Sequence, residues 1–427
     1  MIFFTIFGLS IYTVALSVTH MEGYGFLVPY LQPFKEIIVL LTLSLNFLQL
    51  KKIPKLHVID YIIILYFVGN IAYALLPIGE YGFTDRVLAV KSSSFFVLVY
   101  AVGRTFDFKN IQISKVYRYI LLVGILAACV AVYEYVSKTN FQSLTGYADF
   151  NFYYFGQQSS GNYGLTWTFE TETGLRRFAS FFANPLEHSA ATLVLLSCTL
   201  ALYTNSKNKL ELKDICIFAL VASFVSIVLS LSRASFVSYF MMIYVYALIT
   251  NNKLIYKVFH VLFILIVLYF TFLLTNEDVY DFVVETITFK NASSLGHVLE
   301  WVVGFDSMIQ HPFGLGLGAS GRVSIADGLN VGGENQFIII GVQLGFLFFI
   351  VYILLQICLI YYPLKWFKKL SGRERKICLT LLLIKIGSII PLFTSDFESC
   401  IYISYLSWFI TGMFVDIISK YDYQYEA

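Results

Sequence analysis

The sequence predicts an all-α polytopic membrane protein that forms a single integral membrane domain over residues 1–427. Hydrophobic residues make up 58% of the chain and charged residues 13%, whereas soluble domains carry roughly 25% charged residues. The apolar residues fall in long runs, and a membrane helix needs about 20 mostly apolar residues. Lysine and arginine collect in alternate connections between these runs. These observations exclude an ordinary soluble domain, and no basic patch interleaved with aromatic residues indicates nucleic-acid binding.

About twelve transmembrane helices are predicted. The apolar segments lie at residues 2–20, 33–50, 58–77, 85–103, 119–137, 185–204, 214–231, 235–250, 256–275, 336–361, 377–395 and 401–419. The first segment lacks the basic region and the small-residue cleavage site of a signal peptide, so we expect it to remain as a membrane span.

The charged connections predict the orientation of the chain. Basic residues occur in connections 51–57, 104–118, 205–213, 251–255 and 362–376, whereas the short connections 21–32, 78–84 and 396–400 contain no lysine or arginine. Basic connections face the cytoplasm in most membrane proteins. An even number of spans with both termini in the cytoplasm satisfies this rule, and it places two long loops, 138–184 and 276–335, outside.

The two outer loops differ in composition. Loop 138–184 is rich in Tyr, Phe, Asn, Gly and Gln, which suits either stacking on sugar rings or anchoring at lipid headgroups. Loop 276–335 contains most of a polar, glycine-rich stretch, residues 296–345, in which His297 and Glu300 would share one face of a helix. Its HPFGLGLGASG sequence allows close backbone approach or an anion-binding nest. Glu334 and Asn335 precede the tenth segment, where a carboxylate is often only an N-cap.

Three arginines lie near the predicted outer surface. Arg233, in LSLSRASFVSYF, stands between two apolar segments that have almost no loop between them. It either extends to the headgroups or holds a phosphate, which a guanidinium group binds in a bidentate manner. Arg176 and Arg177 lie just before the sixth segment. For Glu187 and His188, which begin that segment, a capping or core role is favoured over catalysis.

A few other charges have to be explained. Lys91 and Lys385 lie within apolar segments, where charges are costly and are usually functional or paired, so they favour a transporter. Lys35 could pair locally with its neighbour Glu36. The short connection 396–400 holds two carboxylates, which we interpret as a solvated acidic turn and not as a metal site; these are Asp396 and Glu398.

Three pieces of the chain resemble the O-antigen ligase/polymerase family of bacterial membrane glycosyltransferases. They are RRFASFFANPLE, SLSRASF and HVLEW…HPFGLGLG…ENQFIIIGVQLGFLFF, and the likeness is clearest over residues 176–350. The resemblance implies a helical bundle similar to the GT-C class, located in the bacterial inner (cytoplasmic) membrane and acting on the periplasmic face. It also implies glycan transfer from undecaprenyl diphosphate without a metal or cofactor.

The same resemblance suggests roles for individual residues. Arg233 matches the arginine that holds the donor diphosphate, and Arg177 matches an arginine of the RRFASFFANP piece. Ligases have histidine at the position of Glu334, and many have arginine at the position of His297, so these differences favour a polymerase. The expected site comprises catalytic Glu334, His297 and Arg233, donor-binding Arg233, Arg177, Arg176 and Arg322, and acceptor-binding Asn335 and Glu300.

The sequence therefore predicts a polysaccharide polymerase that transfers a growing glycan to a lipid-linked repeat unit. The alternatives are an O-antigen ligase, which attaches finished polymer to a lipid or protein acceptor, and a polysaccharide flippase or transporter. The expected partners are the undecaprenyl-diphosphate-linked oligosaccharide, the lipid bilayer, a chain-length regulator and a flippase.

Overall fold

The computed structural model describes residues 1–50, 54–107, 111–171, 173–273, 292–321 and 331–426. In these ranges the protein is helical, and β pairing occurs there only as isolated bridges, such as that between Ser160 and Leu165. The predicted all-α class is therefore confirmed.

The α-helices are numbered here in chain order. They are α1 (Tyr12–Thr19), α2 (Val28–Leu31), α3 (Phe34–Gln49), α4 (Val58–Leu75), α5 (Phe83–Thr105), α6 (Ile113–Ser137), α7 (Tyr147–Phe155), α8 (Pro185–Tyr203), α9 (Asp214–Leu229), α10 (Arg233–Thr250), α11 (Lys253–Leu273), α12 (Ala292–Gln310), α13 (Gln336–Leu344), α14 (Phe346–Phe367), α15 (Gly372–Thr394) and α16 (Ile401–Glu426). Each predicted apolar segment overlaps at least one of these helices.

Nine helical segments of the described ranges are long and apolar enough to cross a membrane. They are Tyr12–Gln49, which is kinked, and Val58–Leu75, Phe83–Thr105, Ile113–Ser137, Pro185–Tyr203, Arg233–Thr250, Phe346–Phe367, Gly372–Thr394 and Ile401–Tyr421. The chain is thus a multi-pass helical membrane protein, and the number of twelve crossings stays a prediction.

The prediction of one continuous helix over residues 336–361 is wrong. The structure divides it at Gly345 into the nine-residue helix α13, which is buried throughout, and the long helix α14. Gly345 has a φ of 83°, and a Cβ atom there would lie 2.4 Å from the carbonyl oxygen of Pro312. Only glycine fits this backbone conformation and this close approach. Glu334 therefore precedes a short buried helix and does not open a membrane span.

Three helices form the centre of the bundle. In the most apolar stretches of α8, α15 and α16, 83%, 78% and 94% of the residues are buried, compared with 39% in α4. Small residues allow membrane helices to approach closely, and α8 is rich in Ala, Ser and Thr. At the contact between α5 and α16, a Cβ atom on Gly412 would lie 2.2 Å from the carbonyl oxygen of Tyr100.

The helix ends define two poles of the bundle. The pole that we name the loop pole contains the end of α6, the start of α8, the turn between α9 and α10, and the start of α16. Here Phe178 N–H donates to the carbonyl of Leu229 at 3.2 Å, and Tyr402 N–H donates to the carboxylate of Glu187 at 3.1 Å. The opposite pole, named the basic pole, carries most of the lysine- and arginine-rich connections.

The long connection 138–184 folds as a cap at the loop pole. Its helix α7 packs on the N-terminal part of the chain, where Phe150 is buried with Leu16 and Val28. The Tyr154 hydroxyl donates to the carbonyl oxygen of Gly25 at 2.7 Å. Two other aromatic residues of this connection, Tyr147 and Phe169, form a second small core with Leu165 and Ala179.

Candidate functional site

Two arginines that are distant in sequence meet at the loop pole. Arg177 lies in the connection before α8, and its Nε and Nη2 atoms donate to the carbonyl oxygen of Leu231 at 3.3 and 3.1 Å. Leu231 forms the tight turn between α9 and α10 with a φ of 48°, a conformation that is uncommon for a residue other than glycine. Arg233 follows in the same turn, is exposed, and begins α10.

The positive charges of these two arginines interact. The pKa of Arg177 is lowered from its ordinary value, first by burial and then by the charge of Arg233. A third bond of Arg177 runs from Nη1 to the carbonyl of Thr168 at 3.4 Å. Both acceptors, the carbonyl oxygens of Leu231 and Thr168, are neutral, and a guanidinium group has five N–H donors. Arg177 therefore keeps positive charge and further N–H donors at the loop pole, as an anion site requires.

Arg176 is placed differently from its neighbour. Its guanidinium carbon lies 4.1 Å from the centre of the Tyr163 ring, within the connection itself. Its Nη1 atom is buried and has no hydrogen-bond partner among the described residues. Its predicted role in donor binding stays a prediction.

A buried carboxylate fixes the connection that carries Arg177. Glu134, near the end of α6, accepts from Phe141 N–H at 2.7 Å and from Ser180 N–H at 2.8 Å. Asn140 donates from its amide to the carbonyl oxygen of Arg177 at 2.8 Å. The role of Glu134 was not predicted, and the only signal in the sequence was a carboxylate near the end of an apolar segment.

The start of α8 confirms the expected capping role of Glu187. Asn184 caps the helix by accepting from Glu187 N–H at 2.9 Å. The Glu187 carboxylate accepts from Ala183 N–H at 3.2 Å and from Tyr402 N–H at 3.1 Å. Glu187 therefore joins the start of α8 to the start of α16.

His188 is a core residue, as expected. It is 1% exposed, stacks on the Phe182 ring, and its Nδ1 atom lies 3.0 Å from the carbonyl oxygen of Phe178. Because a carbonyl oxygen only accepts, Nδ1 carries the proton.

The candidate acceptor residues lie before α13. The Asn335 side chain accepts from Phe337 N–H at 3.0 Å and from Ile338 N–H at 3.2 Å, so Asn335 is the N-cap of this helix. The alternative in which Glu334 is the N-cap is therefore wrong. Glu334 lies half-buried in the preceding turn. The side-chain oxygen of Asn335 is thus engaged within the chain. Its role in acceptor binding stays a prediction.

Helix α12 packs against the turn that carries Glu334. A Cβ atom on Gly304 would lie 3.5 Å from Gly332 Cα, and one on Gly332 would lie 3.6 Å from the carbonyl oxygen of Glu300. Glu300 is half-buried, and its Oε2 atom has no hydrogen-bond partner among the described residues. His297 lies one turn earlier in α12, but its side chain is outside the described part of the chain, as is the whole of Arg322.

The glycine-rich stretch after α12 serves close packing. Gly316 has a φ of 97°, and a Cβ atom there would lie 2.2 Å from the carbonyl oxygen of Ile78. Gly316 N–H donates to the Gln343 carbonyl at 3.1 Å, and Gly318 N–H donates to the Gln343 side chain at 3.2 Å. Gln343 in turn donates to the carbonyl oxygen of Ser320 at 2.8 Å. Since these N–H groups are engaged within the chain, the alternative of an anion nest is not supported at Gly316 and Gly318.

Glu398 is not part of a solvated turn, so that interpretation is wrong. Its carboxylate accepts from the Tyr352 hydroxyl at 2.9 Å, from the Ser404 hydroxyl at 2.8 Å and from the Trp408 indole at 2.9 Å. Its own N–H donates to the Gln336 side chain at 3.1 Å. Glu398 thus joins α13, α14 and α16 directly beside the N-cap of α13.

The Trp408 ring, whose indole N–H donates to Glu398, also contacts Lys385 of α15. Lys385 is 4% exposed, and its ammonium lies 4.1 Å from the centre of the Trp408 ring. A lysine inside an apolar segment needs a compensating group. That requirement was the sequence signal that a compensating group lies near Lys385, and the Trp408 ring provides this contact.

The other intramembrane lysine, Lys91, forms an ion pair. Lys91 lies 2.9 Å from Glu36 Oε1, and Lys35 lies 3.1 Å from the same oxygen. The expected local pair of Lys35 and Glu36 is confirmed, and Lys91 extends it to a cluster of three charges.

The comparisons with known proteins give no assignment. No family model matches the chain, and no curated protein sequence matches it. Within the described residues, no group of three or more His, Cys, Asp or Glu side chains is placed to hold a metal ion. The function has to be inferred from the chemistry of the loop pole.

Proposed function

We propose that the protein is a polysaccharide polymerase of the bacterial inner membrane, acting as a metal-independent glycosyltransferase. It transfers a growing glycan from undecaprenyl diphosphate to a lipid-linked repeat unit on the periplasmic face. The observation that carries this proposal is the meeting of Arg177 and Arg233 at the loop pole. The resemblance of the flanking sequence to the O-antigen ligase/polymerase family supports the same function.

The two arginines act on the leaving group. In the transfer, the bond between the anomeric carbon and the diphosphate oxygen breaks, and a bond to the acceptor hydroxyl oxygen forms. Negative charge develops on the departing undecaprenyl diphosphate, and preorganised cations stabilise such charge. Guanidinium groups suit this role because they bind phosphate oxygens in pairs and keep their charge. Arg176 and Arg322 are the remaining candidates for donor contacts.

The acceptor is activated on the other side of the site. The hydroxyl that attacks loses its proton to a base, for which Glu334 is the first candidate and His297 the second. Glu300, whose backbone lies close to the Glu334 turn, is the proposed acceptor-binding residue together with Asn335. The packing of α12 on Gly332 supports this grouping.

The proposed orientation follows the distribution of charge. With twelve crossings and both termini in the cytoplasm, the basic pole faces the cytoplasm and the loop pole faces the periplasm. The site then lies where lipid-linked repeats are exposed, and a flippase and a chain-length regulator are the expected partners.

A ligase is the nearest alternative, because it would use the same donor and a different acceptor. A flippase or transporter is supported less well, because Lys91 is engaged in an ion cluster with Glu36 and Lys35. The glycans of a strain that lacks this protein separate these functions. Loss of a polymerase leaves single capped repeats, loss of a ligase leaves long polymer on its lipid carrier, and loss of a flippase leaves no periplasmic repeat.

The decisive experiment is complementation of that strain with Arg233→Ala and Arg233→Lys. We expect no polymer from Arg233→Ala and little from Arg233→Lys, because an ammonium does not reproduce a bidentate contact. Glycan length on a gel is the measurement, and the amount of protein in the membrane is measured in parallel.

The matched control is Arg118→Ala, which removes an exposed arginine of α6 at the basic pole. This variant should produce polymer of normal length. Normal polymer from Arg233→Ala would refute the proposed diphosphate site.

A further inference from the structure

A small cavity lies in the bundle between α6, α8, α9 and α16. Its volume is about 10 Å³, and its wall is mostly apolar. Four polar side chains line it, and none is more than 3% exposed. They are His188, Thr192, Ser226 and Tyr402.

Three polar atoms of this cavity lack partners. His188 Nε2, the Ser226 hydroxyl and the Tyr402 hydroxyl are buried and form no hydrogen bond with any described residue. Buried polar groups are almost always hydrogen-bonded, because losing contact with water without replacing it is unfavourable. Three such atoms around one cavity therefore indicate a bound polar species.

The donors and acceptors of the wall define that species. Since His188 Nδ1 carries its proton toward the Phe178 carbonyl, Nε2 of the neutral ring is an acceptor. The Ser226 and Tyr402 hydroxyls each have a proton to donate. The Thr192 hydroxyl donates to the His188 carbonyl at 2.9 Å and keeps lone pairs for a further donor.

We propose that the cavity binds one ordered water molecule that joins α8, α9 and α16. The water accepts from Ser226 and Tyr402, and it donates to His188 Nε2 and to Thr192. A buried water needs a cavity of about 10–15 Å³ and two to four polar partners. The cavity meets both conditions, and it is too small for any larger ligand.

The water extends a chain of contacts to the loop pole. Tyr402 on α16 is linked through it to His188, and the His188 ring holds the carbonyl of Phe178, the residue after Arg177. The connection before α8 is thereby fixed to the centre of the bundle. This inference does not depend on the proposed function.

The sign of a stability change tests the proposal. Tyr402→Phe and Ser226→Ala each remove one donor from the cavity. The melting temperature of each full-length variant is measured in detergent. If a water bridges these groups, each variant should melt about 1–4 °C below the parent protein. If the cavity is dry, removal of an unsatisfied hydroxyl leaves the melting temperature unchanged or raises it, and that result would overturn the proposal.

A double variant gives an independent test. Ser226 and Tyr402 make no direct bond, but a shared water would couple them, so their two shifts should not be additive. The matched control is Ser197→Ala, because the Ser197 hydroxyl donates to Leu193 within α8, outside the cavity. Its shift should add to that of Tyr402→Phe.

Amide exchange provides the structural measurement. In Tyr402→Phe, the backbone of residues 176–184 should exchange severalfold faster than in the parent protein, because the link through His188 is weakened. Exchange at the parent rate, or additive shifts for Ser226→Ala and Tyr402→Phe, would contradict the shared water.

Discussion

Each pole of the bundle holds an arginine that is tied to the chain, but the two have opposite kinds of partners. At the basic pole, Arg104 is 6% exposed and pairs with Asp60 at 3.2 Å and Asp416 at 3.1 Å. At the loop pole, Arg177 is held by carbonyl oxygens and lies close to Arg233. Carboxylates neutralise the first arginine, whereas carbonyls only orient the second.

This difference separates an arginine that is neutralised within the fold from one that we propose binds an anion. Arg104 also donates to the Ser419 hydroxyl at 3.0 Å and to the Lys55 carbonyl at 2.5 Å, so its donors are used within the fold. Its partners lie on α4, on α16 and in the connection before α4, so Arg104 joins its own helix, α5, to these elements. The charge of Arg177 has no carboxylate partner in the described chain, and its surroundings favour an external anion.

The largest effect on stability is expected from Arg104→Ala. This change leaves the buried Asp60 carboxylate without its cation and leaves Asp416 paired only with Lys420, and breaking a buried ion pair costs about 3–5 kcal/mol. The yield of folded protein and its melting temperature are the measurements. A melting temperature equal to that of the parent would show that the basic pole does not depend on this network.

Arg177→Ala should reduce activity strongly but destabilise the protein less than Arg104→Ala does. We expect polymer formation to fall about 10²–10³-fold, as when a preorganised donor to a developing anion is removed. The free energy of unfolding should fall by about 1.5–3 kcal/mol, less than for Arg104→Ala, because no buried carboxylate loses its cation. Turnover of purified protein and its melting temperature check both. If Arg177→Ala destabilised the protein as much as Arg104→Ala, the distinction between the poles would fail.

Glu334→Gln tests the proposed acceptor site. If Glu334 is the base, turnover should fall by about 10²–10⁴-fold while acceptor binding survives, because an amide still bonds hydroxyls but takes no proton. Retained turnover in Glu334→Gln with loss in Glu334→Ala would assign Glu334 as an acceptor ligand. Full activity in both variants would leave His297 as the remaining candidate base.

The smallest effect is expected at the N-cap of α13. Asn335→Ala should lower the free energy of unfolding by about 0.5–2 kcal/mol, whereas Asn335→Asp should preserve it, because both Asn and Asp cap helices well. Thermal unfolding of the two variants is the measurement. Equal stability of Asn335→Ala and the parent would mean that the cap does not hold α13 in place.

The sequence by itself determined the helical class and the approximate position of nearly every long helix. Lipid leaves backbone groups no partner outside the chain, so a long apolar run has to form its own hydrogen bonds as a helix. It also identified Arg177 and Arg233 as charges in unusual places, and it predicted the capping role of Glu187. Each of these inferences rests on a property of neighbouring residues, which the sequence records directly.

The tertiary structure alone decided which distant groups meet. The contact of Arg177 with Leu231 joins residues 54 positions apart, and the partners of Glu398 lie on three different helices. The break at Gly345 depends on Pro312, and the cap at Asn335 depends on where α13 begins. Hydropathy describes how each segment meets the bilayer, but side-chain hydrogen bonds depend on how the helices pack against one another.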